Sequence, residues 1–78
     1  MPRFFFHLHE GQYLVDEEGL ELADLSAARQ RARDCVLDIL SAEVKQGHLN
    51  LNNRIDIADE SGAVVEGLLF RDALKISG

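Results

Sequence analysis

A chain of 78 residues with 46 % hydrophobic and 28 % charged side chains has the composition of one small globular domain, which excludes a disordered, collagen-like or multidomain protein. The formal net charge is −6, from 8 basic and 14 acidic residues. Residues 1–24 set one cation, Arg3, against Glu10, Asp16, Glu17, Glu18, Glu21 and Asp24, a net of −5. A surface of that sign repels phosphate backbones, so direct nucleic-acid binding is not expected, whereas a basic protein partner is favoured.

Arg3 to His9 alternates Phe4, Phe6 and Leu8 with Phe5, His7 and His9, the period of a strand. The apolar run of Phe4, Phe5 and Phe6 is broken by His7 before it reaches the length of a signal-peptide core. Glu10-Gly11 supplies a turn, and Gln12 to Val15 reads as the returning strand of a hairpin. Asp16-Glu17-Glu18-Gly19 stops it, and Leu20 to Ala23 is short enough to leave open between loop and bridge segment.

From Leu25 to Gln46 the period becomes helical, with Leu25, Ala28, Ala32, Cys35, Val36, Ile39, Leu40 and Val44 on one stripe. Asp24 is the expected N-cap and Gly47 the left-handed terminator. Such a helix is about 33 Å long, enough to cross a four-stranded sheet. Asn50, Asn52 and Asn53 then lead into a second hairpin: Arg54 to Ala58, the turn Asp59-Glu60-Ser61-Gly62, and Ala63 to Phe70. The tail of residues 71–78 is read as a further helical turn or a fifth strand. The expected fold is α+β, a two-layer ββαββ arrangement in one domain over 1–78, with one long helix on one face of an antiparallel sheet.

Taken together, Met1 to Leu8, Asp16 to Leu22, the Ala- and Arg-rich start of the helix and the Asp59 to Gly62 turn resemble a family of short, functionally uncharacterised proteins common in rhizobia and related alphaproteobacteria. The resemblance implies a bacterial cytoplasmic protein and transfers no functional residue. In layout alone, hairpin, acidic loop and Ala-rich helix are also similar to antitoxins of the HicB type, although no appended DNA-binding segment is evident.

Candidate chemistry is sparse. His7 and His9 lie on one side of their strand about 7 Å apart, a spacing that can offer two imidazoles to a transition metal. The alternative, two polar residues on the outer sheet face, is preferred because a tight site needs a third ligand. Arg29, Arg31 and Arg33 sit near the helix start, where the macrodipole disfavours cations. They are read as compensating the acidic segment before them rather than as an anion clamp. Cys35 is the lone cysteine, on the apolar stripe; a buried inert thiol in a reducing cytoplasm is expected. The echo of Asp16-Glu17-Glu18-Gly19 in Asp59-Glu60-Ser61-Gly62 is read as repeated turn chemistry rather than paired cation loops. With no nucleophile motif, acid/base pair, cofactor fingerprint or membrane-length apolar run, neither an enzyme nor a membrane protein is expected.

The apolar residues of both strand parities point to a surplus outside the core, with Phe5, His7, His9, Val65 and Leu69 as the candidate interface. Three functions fit these features. The first is a non-enzymatic interaction or regulatory module that forms homo-oligomers. The second is an antitoxin-like inhibitor of a basic partner, and the third a metal-binding protein using His7 and His9.

Overall fold

The computed structural model describes residues 1–74. The chain runs β1 (Arg3–His9), β2 (Tyr13–Leu14), β3 (Leu20–Glu21), α1 (Leu25–Lys45), β4 (Arg54–Ala58), β5 (Val64–Leu69) and α2 (Phe70–Ala73). All pairings are antiparallel, in the order β2-β1-β4-β5, with β3 also paired to β1. One long helix against this five-stranded sheet gives an α+β domain.

α1 starts where the sequence supplies a cap: Asp24 is extended, and its Oδ1 accepts the Ala27 N–H at 2.9 Å. It ends at Lys45, with Gln46 as C-cap and Gly47 at φ +86°. There Gly47 N–H donates to the Val44 carbonyl and His48 N–H to that of Glu43. Ala28, Ala32, Val36 and Leu40 form the buried stripe and meet Phe4, Ile55, Ile57 and Phe70 in one core. Alanine at 28 and 32, both wholly buried, lets the helix backbone approach the sheet closely.

Three details depart from the sequence reading. Leu20–Glu21 pairs with Arg3 and Phe4 as a true strand, so the first region holds three strands rather than two. Phe70 is not the end of the last strand but the first residue of α2, wholly buried. Its N–H donates to the Asn53 carbonyl at 2.9 Å, which turns the chain off the sheet edge and swings the ring under α1. Finally, a register shift between Ile57 and Ala58 makes Val65 an extra residue in β5. Val64 therefore stands opposite Ala58, while Glu66 and Leu68 stand opposite Ile57 and Ile55 on the helix side. The tail turns helical through Ala73, and residues 75–78 lie outside the described residues.

Candidate functional site

The face of the sheet away from α1 is built in rows. Register places Phe5, Ala58 and Val64 in one row, His7, Asp56 and Gly67 in the next, and His9, Arg54 and Leu69 in the third. Tyr13 of β2 lies beside His9. The apolar side chains are thus confined to the ends of this face, and its centre is ionic. Arg54 Nε is 2.9 Å from Asp56 Oδ1, and His9 Nε2 is 2.8 Å from Asp56 Oδ2. The Asp56 side chain is only 9 % exposed, so these partners offset the cost of removing a carboxylate from water. Gly67 makes the room: a Cβ there would lie 3.2 Å from Asp56 Oδ1. The Tyr13 ring packs on His9 at 4.3 Å and meets His7 edge-on at 5.7 Å.

The two histidines are turned to different tasks. His9 Nε2 lies 2.8 Å from Asp56 Oδ2 and 3.0 Å from Arg54 Nη2, whereas His7 Nδ1 accepts the Asp16 backbone N–H at 3.0 Å. A neutral His7 then carries its proton on Nε2, so neither of its nitrogens offers a free lone pair. Joint metal ligation by the pair requires breaking the bond to Asp16. Among the described residues, no group of three or more His, Cys, Asp or Glu side chains is arranged to hold a metal ion.

Asp16 is the pivot of the first acidic loop. Its Oδ1 accepts the N–H groups of Glu18 and Gly19, and its Oδ2 accepts the Phe6 N–H of the neighbouring strand at 3.2 Å. Burial pushes its carboxyl upward, but the three N–H donors and the nearby His7 outweigh it and hold the group below the ordinary carboxylate value. The second loop repeats the local chemistry: Asp59 Oδ1 accepts from Ser61 N–H, the Ser61 hydroxyl and Ala63 N–H. The Ser61 hydroxyl leads these in holding the Asp59 carboxyl low. Both motif glycines are left-handed, Gly19 at φ +71° and Gly62 at +88°. The echo is repeated turn chemistry: Asp59 serves its own loop, and Asp16 serves its own loop and the Phe6 N–H of β1.

At the far side of the sheet, β5 pairs among the described residues with β4 alone. Val64, Val65 and Leu69 are 52, 42 and 39 % exposed along it. Above this edge lies a groove of about 310 Å³ between α1, β5 and α2, with Arg29, Arg33 and Asp72 on its walls. Arg29 reaches Glu66 of β5 at 2.6 Å, so it does not compensate the acidic segment as expected from sequence. Arg3 takes that part instead, bonding the Glu18 carbonyl at 2.7 Å and Glu21 at 3.2 Å. Cys35 is half-buried at the margin of the core rather than sealed in it.

The family described as a domain of unknown function, DUF6894, matches residues 3–71. The chain belongs to that family. The DUF6894 match opens on the first residue of β1 and takes in every strand and α1. It therefore covers the open face and the β5 edge alike, and it assigns a role to neither. No curated protein and no solved structure matches the chain.

Of the residues singled out from the sequence of this DUF6894 domain, the structure brings Phe5, His7, His9 and Leu69 to one face and puts Val65 in the bulge. It adds Tyr13, Arg54, Asp56 and Gly67 between them. The signal for Asp56 was present: Arg54-Ile55-Asp56 has the same polar-apolar-polar alternation as His7-Leu8-His9, and pairing the two strands opposes the polar positions. Glu43 gave no such signal. It is buried beneath the loop after α1, its Oε2 accepting the Asn50 N–H at 3.2 Å and its Oε1 without a partner among the described residues.

Proposed function

We propose that this domain is a small non-enzymatic interaction module, regulatory in role, that forms homo-oligomers through the β5 edge of its sheet. The observation that carries the reading is that edge: six residues of strand, unpaired on one side among the described residues, with Val64, Val65 and Leu69 exposed along it. An edge of this kind is a template for another strand, and natural sheets usually blunt it with lysine or proline. β5 contains neither, and its one interruption is the bulge at Val65. Its one charge, Glu66, is already held by Arg29. The ionic centre of the open face satisfies itself through Arg54, Asp56 and His9, which favours the edge over the face as the contact. A bacterial cytoplasmic setting belongs to the same proposal. It is supported by the lone Cys35 and by the resemblance to alphaproteobacterial proteins.

The test is sedimentation equilibrium over a dilution series from high to low micromolar. A mass of twice 8.7 kDa or more that dissociates on dilution is expected; a monomer throughout overturns the reading.

A second reading, an inhibitor of a basic partner in the manner of HicB antitoxins, is supported by the exposed Glu10, Glu17 and Glu18. None of the three has an ion-pair partner among the described residues. Co-purification from the native host tests it: a stoichiometric basic protein, released by salt, is the expected result. Recovery of the chain alone removes this reading.

A further inference from the structure

The groove above β5 has a composition that neither self-association nor turn chemistry uses. Its bottom is apolar, made by the buried Ile57 and Ala73 with the half-buried Leu68, and its walls carry Arg29, Glu66, Arg33 and Asp72. Arg29 and Glu66 neutralise one another at 2.6 Å. Arg33 and Asp72 are left, one positive and one negative, each without an ion-pair partner among the described residues. Ser26 and Gln30, one helical turn apart on α1, add neutral hydrogen-bonding groups to the rim. The volume, about 310 Å³, is at the small end of ligand pockets.

From this arrangement we infer that the groove binds a free apolar α-amino acid of about leucine size. The carboxylate is met by the Arg33 guanidinium, whose planar fork suits it. The ammonium is met by Asp72, and the side chain lies on Ile57, Leu68 and Ala73. A simple anion fails to match because it leaves Asp72 opposing it, and a simple amine fails because of Arg33. Only a ligand that carries both charges close to an apolar body answers the three features together. The exposure of Asp72 and the small size of the ligand set a dissociation constant of about 1 mM.

Leucine, N-acetyl-leucine and leucinamide, titrated separately into the full chain labelled with ¹⁵N, test this by chemical-shift perturbation. Leucine is expected to give saturable shifts at the amides of Ser26, Arg29, Gln30, Arg33 and Leu68. N-acetyl-leucine lacks the ammonium and leucinamide the carboxylate; each is expected to bind about tenfold more weakly or worse. Arg33→Gln and Asp72→Asn are expected to lower the affinity for leucine by a similar factor while leaving the rest of the spectrum in place. Absence of saturable shifts with leucine overturns the proposal. So does equal binding of N-acetyl-leucine, which would make the groove an anion site, or unchanged binding by both variants. The three-ligand comparison on the unmodified chain decides the matter even if a variant folds poorly.

Discussion

The two edges of this sheet solve the same problem in opposite ways. On the β1 side the outer chain is broken into two strands of two residues each, β2 and β3, with the Asp16 to Gly19 loop between them. Where the ladder is interrupted, the Asp16 carboxylate takes the Phe6 N–H and His7 takes the Asp16 N–H. Leu22 N–H donates to the Pro2 carbonyl and closes the end. On the β5 side, among the described residues, no side chain or loop takes the place of a neighbouring strand. A sheet edge that is sealed with side chains serves the fold, and one left bare along six residues is available to a partner.

The largest effect should come from the glycine at which the sealed edge folds over. A Cβ at Gly19 would lie 2.8 Å from Phe5 Cε2 and 2.9 Å from both Arg3 Cγ and the Phe4 carbonyl oxygen, at φ +71°. The carbonyl belongs to the sheet and cannot yield. Gly19→Ala should therefore cost about 3 kcal/mol or more in urea denaturation. Gly62 occupies the same place in the other Asp-Glu-x-Gly loop at φ +88° with nothing near the added methyl. Gly62→Ala should cost only about 1 kcal/mol, the conformational penalty alone. Equal costs would show that Gly19 is not packed as described.

Asp16→Ala should come next, at about 2 kcal/mol at neutral pH, because the half-buried Phe6 N–H loses its acceptor. The pH dependence has a fixed sign. The folded-state carboxyl of Asp16 lies below its ordinary value of 3.8, so the unfolded chain binds the proton more readily. The stabilisation is complete above that ordinary value and is lost as the pH falls through it and then through the lower folded value. Denaturation midpoints of the wild type and Asp16→Ala should converge below about pH 4. A gap that persists in acid would separate the loop's stability from the charge on this carboxylate.

The smallest effect on stability should come from the open edge. Val65→Lys and Leu69→Lys replace exposed side chains and should change the unfolding free energy by less than about 0.5 kcal/mol. Both should nonetheless shift the sedimentation equilibrium toward monomer. A loss of stability with unchanged self-association would invert the assignment of the two edges.

What could be read from the sequence was what adjacent residues decide. Asp24 and Gly47 bracket α1, the Ala28 to Leu40 stripe faces the core, and the Asp-x-x-Gly turns close the loops as their residue types require. What could not be read depends on residues far apart in the chain. Leu20–Glu21 is a strand only because Arg3 and Phe4 leave an edge free beside it. Val65 becomes a bulge only against Ile57 and Ala58, and that one extra residue turns Glu66 toward Arg29. The expected apolar surplus is smaller on the open face than alternation implied, because Arg54, Asp56 and His9 hold the centre of that face and Gly67 stands beside them. Of the residues named for an interface, Val65 and Leu69 stand exposed along β5.

Amide hydrogen exchange at two protein concentrations, one above and one below the association midpoint, compares the two edges directly. Residues Val64–Leu69 should gain protection at the higher concentration, while Tyr13, Leu14, Leu20 and Glu21 exchange at the same rate in both. Protection that appears along β2 and β3 with β5 unchanged, or no concentration dependence at either edge, would contradict the account.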